Sequence, residues 1–530
     1  MSFAGIDTGK TRSFANKMTR WIPSVGSILA NRRAISVLAI VFTCLFSVLA
    51  GREISERPVL VLGGAIGAIV LAWLAVRPAT TVIFVMTYTP FEEFLLKFVP
   101  GQAYAVARYL PELLLISALG LLLVGRAIRR KPLEGTPMDV PLLLFLAVSL
   151  FSILYNRIPL VVGVLELRIL LRYVVLLYIL VLGEFDKQFI ARIFRIMLVI
   201  VAVQVGLGLL HSVLGDRASA FLAPGDVTIG DIFVRMGFAQ IVSSHTRIFS
   251  TFGRYNLYGN FLAFFLLFVI AVMYVQGSDL SHGQNQRLRL FLLAGLAAMV
   301  LSFSRMSWIG FYAGLVVMLS LMKKRRVIAY LVVPIAVTYV LFRFYGPSSV
   351  EVSETGEASI MQRYLGMFSP RYAEISLNSD RLYAMTKTTG RVMQISPVLG
   401  LGPGSVASAA AKIFGGGERW EVLDLPTSKV MALGDVGWAA MLAQYGLLGL
   451  ALFIWILVRI FRSSIQSYRL ARDSLERILA VGFIGGFVCM MFENVFSFNF
   501  TYRPSALYFW MFAGIVFRML KIQKSEEGSS

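Results

Sequence analysis

What most constrains this chain is a succession of apolar runs of about 17–25 residues, the length at which a helix spans the hydrocarbon core of a bilayer. They fall near 34–50, 58–76, 79–96, 108–125, 139–155, 160–182, 188–214, 258–277, 288–304, 307–322, 327–344, 435–458, 477–497 and 504–520. The fold they predict is an all-α polytopic membrane protein with about fourteen transmembrane helices. Hydrophobic residues make up 57% of the 530-residue chain. What lies between the runs is too little for a soluble core of comparable size. The run at 79–96 is the one interrupted by charge, at "FEEFLLK" (91–97).

The chain carries 50 Lys and Arg against 29 Asp and Glu, a formal charge of +21. In a soluble protein that balance would suggest nucleic acid. Here the clusters "RAIRRK" (126–131), "KKRR" (323–326) and "RIFRSS" (459–464) abut apolar runs, as the positive-inside bias produces. With the basic N-terminus in the cytoplasm, alternation puts these three clusters, "QNQRLRL" and the terminal "KIQK" on the cytoplasmic side. The expected organisation is a cytoplasmic segment 1–33, a helical membrane part 34–344, a large external loop 345–434, C-terminal transmembrane helices 435–520 and a cytoplasmic tail 521–530. More than thirty residues precede the first run, so the basic N-terminus reads as a retained anchor and not a signal peptide. The long outward intervals are 215–257 and 345–434, and the second holds eight basic and eight acidic residues. The net charge therefore belongs to the cytoplasmic face, and nucleic acid is not an expected partner; membrane lipids are. Cys44 and Cys489 sit inside apolar runs, where cysteine packs as a small hydrophobe. His211, His245 and His282 are scattered, and no spacing of ligands predicts a metal site.

Arginines carry the chemistry. In the run 160–182, Arg168 and Arg172 are four apart and share one helical face. Arginine at a helix centre costs about 2.5–3.5 kcal/mol on insertion scales, so the pair needs compensation. One reading is a structural pair bonded to carbonyls or to an acid on another helix, such as Glu493; the other is a basic cavity for an anionic ligand. Arg254 in "STFGRYNLYGN" and Arg305 in "LSFSRMSWIG" stand at outward helix ends. There the positive-inside motive is missing, and bidentate guanidinium contacts to phosphate supply another. In "TTGRVMQISPVLGLGPGS" (388–405), Arg391 precedes a turn stiffened by Pro397 and opened by Gly400, Gly402 and Gly404. Exposed backbone amides in such turns form anion-binding concavities; a plain turn is the alternative. Asp435 precedes the run 435–458, either as a helix N-cap or as a carboxylate able to take a proton from a hydroxyl nucleophile.

"LSFSRMSWIG", "TTGRVMQISPVLGLGPGS" and "GDVGWAAMLAQYGLLGL", in this order and spacing, resemble the O-antigen ligase/polymerase superfamily over about 250–520. The resemblance implies a bacterial inner-membrane enzyme with a C-type membrane glycosyltransferase fold, acting on undecaprenyl-diphosphate-linked glycans at the periplasmic face. It implies glycosyl transfer without nucleotide sugar, metal or other cofactor, with a flippase and a chain-length regulator as possible partners. Arg391 and Gly402 match the arginine, ten residues, glycine spacing of the polymerases, whereas their partner motif does not occur around Arg254. The ligase branch has a histidine eleven residues before a Gly-x-x-Gly; counting back from Gly446 and Gly449 lands on Asp435. This favours a polymerase of O-antigen or exopolysaccharide repeats over a ligase that transfers glycan to lipid A-core. The expected site comprises Asp435, Arg391 and Arg305 as catalytic groups, and Arg168, Arg172, Arg254, Gly400, Gly402 and Gly404 as diphosphate-binding groups. A lipid-linked oligosaccharide flippase is the competing reading, but transporters favour structural repeats, and none is visible here.

Overall fold

The computed structural model describes residues 73–99, 101–225, 227–229, 232–234, 241–242, 245–277, 279–329, 381–414, 419–425 and 433–529, apart from Ala75 and Ala407. The chain divides into two compact units, 1–81 with 116–134, and 82–115 with 135–530. In the first, the described residues include a basic cluster where buried Arg126 donates to the carbonyl of Pro132 at 2.7 Å and pairs with Glu134 at 3.4 Å. The second unit holds every side chain of the functional site discussed below.

The described elements are almost all helices. In chain order they are α1 (Pro78–Tyr88), α2 (Glu92–Leu96), α3 (Gly101–Ile128), α4 (Asp139–Tyr155), α5 (Leu160–Leu171), α6 (Val174–Leu182), α7 (Lys187–Leu214) and α8 (Asp216–Leu222). After them come α9 (Tyr255–Gln276), α10 (His282–Leu301), α11 (Arg305–Leu321), α12 (Arg381–Ile395), α13 (Ala409–Phe414), α14 (Gly437–Leu470), α15 (Ser474–Glu493) and α16 (Arg503–Ser529). Four strands of two or three residues form two antiparallel hairpins between α8 and α9.

Six described helices have the length and composition to cross a membrane: Ala107–Ile128, Lys187–Leu214, Tyr255–Gln276, Gly437–Leu470, Ser474–Glu493 and Arg503–Glu527. Asp139–Tyr155 and Arg305–Leu321 are shorter apolar helices. The runs near 34–50, 58–76 and 327–344 lie wholly or mostly outside the described residues. Two runs behave differently from their pattern. The run 79–96 is parted into α1 and α2 by a 3-10 turn at Thr89–Phe91. The stretch 160–182 is not one helix but two, α5 and α6, parted at Arg172 and Tyr173. Arg172 turns its Nε back to the carbonyl of Ile169 at 3.0 Å, and the side chain is drawn towards acids and carbonyls elsewhere, as set out below.

Helix α9 is the axis of the bundle. Residues Leu257 to Ala271 are buried without interruption, which an all-round apolar helix requires. Phe264 and Phe268 of α9 pack edge-on or tilted against Phe483 of α15 and Phe512 of α16, which stack on each other. Helices α11 and α15 cross at Gly314 and Gly485, where a Cβ on Gly314 would strike the Gly485 carbonyl. Small residues at such crossings let membrane helices approach closely when lipid supplies no hydrophobic drive between them.

Helix α14 is broken at Gly446, whose φ of 64° and ψ of −174° are not helical. A break inside a membrane must have its backbone groups paired again. The glycine turn does this. Leu401 and Gly402 donate to the carbonyls of Ala443 and Gln444 at 2.8 and 3.0 Å, while Leu447 and Leu448 donate to Pro397 and Val398 at 2.8 and 3.1 Å. Only glycine readily holds the Gly446 backbone, and a side chain there adds about 1–3 kcal/mol of strain besides colliding with the Val398 carbonyl. Gly446→Ala should therefore lower the thermal midpoint of the detergent-solubilised protein. Gly390→Ala, in open space on α12, should hold or raise it, since alanine is favoured in helices by about 1 kcal/mol.

Candidate functional site

Two groups of arginines meet in this fold, and they differ in how they are compensated. The inner group surrounds Glu112 of α3, whose side chain is 4% exposed. Arg168 pairs with its Oε2. Arg172 and Arg503 reach its Oε1 at 3.5 and 3.1 Å. Arg503 also pairs with Glu92, Arg172 donates to the Thr501 carbonyl at 3.0 Å, and Arg168 lies over the Tyr109 ring at 4.6 Å. Arg108 and Glu93, 3.2 Å apart, flank the group. Arg168 and Arg172 thus find their acid on α3, not at Glu493, which instead bonds Asn499 at 3.1 Å.

The outer group gathers where α9, α11, α12, α14 and α16 begin. Arg254 is the extended residue just before α9, Arg305 opens α11 and Arg381 opens α12. Asp435 lies two residues before α14, and Tyr502 directly precedes α16. The carboxylate joins two of them: Arg381 Nη2 meets Asp435 Oδ2 at 2.8 Å, and the Tyr502 hydroxyl donates to Oδ1 at 3.2 Å. Burial, then the negative charge of Asp435, push the Tyr502 phenol above its ordinary range, and the Arg254 and Arg381 charges act against that shift. The phenol therefore stays a donor. Arg247 completes the group. It lies over the Tyr255 ring at 4.3 Å, and burial together with the like charges of Arg305 and Arg381 draws its pKa down. Helix N-termini carry partial positive charge, so dipoles and guanidiniums favour the same sign of ligand.

A polar ladder supports this mouth from below. The Asn260 amide of α9 stands 2.7 Å from Ser307 and 2.8 Å from Asn499, and Ser307 meets Ser304 at 2.6 Å. Asn260 and Glu493 also line a narrow cavity with Ser505 and Tyr508.

The structure therefore brings Arg254, Arg305 and Asp435 together, and adds Arg247, Arg381 and Tyr502. Arg168 and Arg172 belong to the Glu112 group. Arg391 is exposed and donates to Gln394 at 3.2 Å on its own helix. It lies ten residues beyond Arg381, about 15 Å along a helix axis. Gly400, Gly402 and Gly404 take φ of 66°, 96° and 87°, as the turn requires. Their amides meet protein acceptors: the Ser396 carbonyl at 3.0 Å, the Gln444 carbonyl at 3.0 Å and Gln444 Oε1 at 2.8 Å. Asp435 is not the helix cap; Val436 takes that place, without a side-chain bond.

Residues 290–454 match the family model described as O-Antigen ligase. The match supports the O-antigen ligase/polymerase superfamily. It supports a glycan-processing membrane enzyme. It spans Arg305, Arg381, the glycine turn and Asp435, whereas Arg247, Arg254 and Tyr502 lie outside it. No curated protein matches the chain.

The inner group yields a stability prediction. Removing one partner of a buried ion pair costs about 3–5 kcal/mol, so Glu112→Gln should sharply lower the thermal midpoint in detergent. Glu93→Gln should lower it far less, because the Arg108 and Glu93 side chains are 25% and 22% exposed and a partly solvated pair contributes less than about 1 kcal/mol.

Proposed function

We propose that the chain polymerises lipid-diphosphate-linked oligosaccharide repeats, with the mouth formed by Arg247, Arg254, Arg305, Arg381, Asp435 and Tyr502 as its transfer site. The observation that carries this reading is a group of four guanidiniums at helix N-termini: Arg381 pairs with Asp435, Arg247 feels the charges of Arg305 and Arg381, and Tyr502, bonded to Asp435, feels those of Arg254 and Arg381. A glycan linked through diphosphate leaves two phosphates bearing charge as the sugar–phosphate bond breaks. Guanidiniums fixed before the reaction stabilise that charge without reorganising, and their planar donors suit phosphate oxygens. Arg254 and Arg305 are the diphosphate ligands in this proposal, with Arg247 behind them and Asp435 accepting the acceptor's proton.

The other arginines and glycines singled out from the sequence take different roles here. Arg168 and Arg172 hold the bundle together through Glu112. Gly400, Gly402 and Gly404 fix α12 and α14, and Arg391 lies on the outer face of α12, where it can meet the glycan beyond the reacting sugar. The mouth faces the periplasm and both termini the cytoplasm, in keeping with the placement of the basic clusters. Asp435 at the position of the ligase histidine favours polymer growth over transfer to lipid A-core.

The purified protein in detergent, given only lipid-diphosphate-linked repeats, should lengthen them, as followed on a gel. Arg254→Ala and Arg305→Ala should each lower the rate about 100-fold or more, the scale of losing one transition-state charge donor, at normal membrane expression. Wild-type product lengths in both variants would remove the arginines from the mechanism. Transfer only when a lipid A-core acceptor is added would make the protein a ligase, and unchanged substrate would support a flippase.

A further inference from the structure

Asp435 does not cap its helix, and each of its oxygens is engaged by a different donor. Oδ2 receives Arg381, which opens α12 in the long outward interval. Oδ1 receives Tyr502, from the segment between α15 and α16. Each donor is itself held. Arg381 Nη1 donates to the Phe496 carbonyl at 3.2 Å, and the far end of α12 leads into the turn bonded to the α14 break. Tyr502 stands between Thr501, whose carbonyl takes Arg172, and Arg503, which is bound to Glu92 and Glu112.

Two fixed donors confine a carboxylate to one orientation, yet it offers about four lone-pair positions, so room remains for a substrate hydroxyl. The pair is within reach of one: the Arg381 and Asp435 side chains are 33% and 31% exposed, against 4% for Glu112.

We propose that Arg381 and Tyr502 are positioning residues that act through Asp435, aiming its carboxylate at the acceptor hydroxyl. This rests on the reading of the mouth as a glycosyl-transfer site. In the step, the acceptor oxygen bonds to the anomeric carbon. The bond from that carbon to the phosphate oxygen breaks, its electron pair leaves on the diphosphate, and the hydroxyl proton passes to Asp435. A diphosphate leaves readily, so the reaction asks little basicity of the carboxylate and a good deal of direction. A guanidinium that stabilises the anion while fixing its orientation is suited to that demand.

The test measures initial rates of the full-length protein in detergent with a lipid-diphosphate-linked oligosaccharide. Arg381→Lys and Tyr502→Phe should each lower kcat about tenfold, a part of the roughly 10²–10⁴-fold that a positioned acid–base group contributes, with KM little changed. Arg381→Ala with Asp435→Asn should be no slower than Asp435→Asn alone, because residues acting as one unit are not additive. The charge swap R381D/D435R should recover the thermal midpoint lost in Arg381→Ala but not turnover. Three outcomes overturn the proposal. Turnover restored by the swap would mean the pair only tethers α12, additive losses would separate the two residues, and a raised KM at full kcat would put Arg381 on the donor itself. Arg305→Ala tests the mouth separately, since full activity there would sink the transfer-site reading whatever the Arg381 variants did.

Discussion

Four backbone hydrogen bonds between the glycine turn and the break in α14 govern the geometry of the rest. The break at Gly446 leaves carbonyls at Ala443 and Gln444 and amides at Leu447 and Leu448 without helical partners, and the turn from Pro397 to Gly402 takes all four. Inside a bilayer such groups have no water to turn to, so the turn and the break need each other. The consequence reaches the mouth. The half-helix ahead of the break begins beside Asp435, and α12, which leads into the turn, begins at Arg381. Ala384 and Val392 of α12 pack in one cluster with Val436 and with Ala439 and Ala443 of α14. The distance from Arg381 to Asp435 is thus set by backbone pairing and apolar packing at the far end of both helices as much as by the ion pair itself.

The Glu112 group does for α16 what the turn does for α14. One buried carboxylate takes three guanidiniums, an arrangement that holds only if each partner stays in place, since a buried charge stripped of its counter-ion is costly. Arg503 is the first residue of α16, and Tyr502 just before it faces the mouth. The inner group therefore orients the outer one through two adjacent residues. The inner set surrounds the buried Glu112, while the outer set stands at helix ends, with Arg381 paired to a carboxylate that is 31% exposed.

Apolar run length made the helical class and most of the helices legible, because a bilayer imposes it on any spanning chain. Arg254, Arg305 and Asp435 stood out for a similar reason: charge at an outward helix end needs an explanation that local sequence does not supply. The rest was hidden by distance along the chain. Arg168 and Glu112 are 56 residues apart, and the pairing that makes Arg168 structural exists only after folding. Arg381 was one of eight basic residues in an interval whose acids balance them, so nothing local raised it above its neighbours. Tyr502 lies in the short interval between the runs 477–497 and 504–520, where no motif marks it. The break between α5 and α6 escaped notice because periodicity and hydropathy run unchanged through Arg172 and Tyr173, and the pull on Arg172 comes from the Thr501 carbonyl on a remote segment.

The glycine motif shows how a correct pattern can carry a different physical role. Three glycines at alternate positions do mark a backbone that only glycine adopts comfortably, and all three have positive φ. Sequence alone leaves open what the freed amides face. Here they face a broken helix, and the turn acts on the chemistry by fixing where α12 and α14 begin. A substitution at Gly402 that kept the turn's bonds would then leave transfer intact, whereas one at Gly446 would move Arg381 and Asp435 apart without touching either. The site is in this sense made at a distance, by backbone groups that a bilayer does not allow to stand alone.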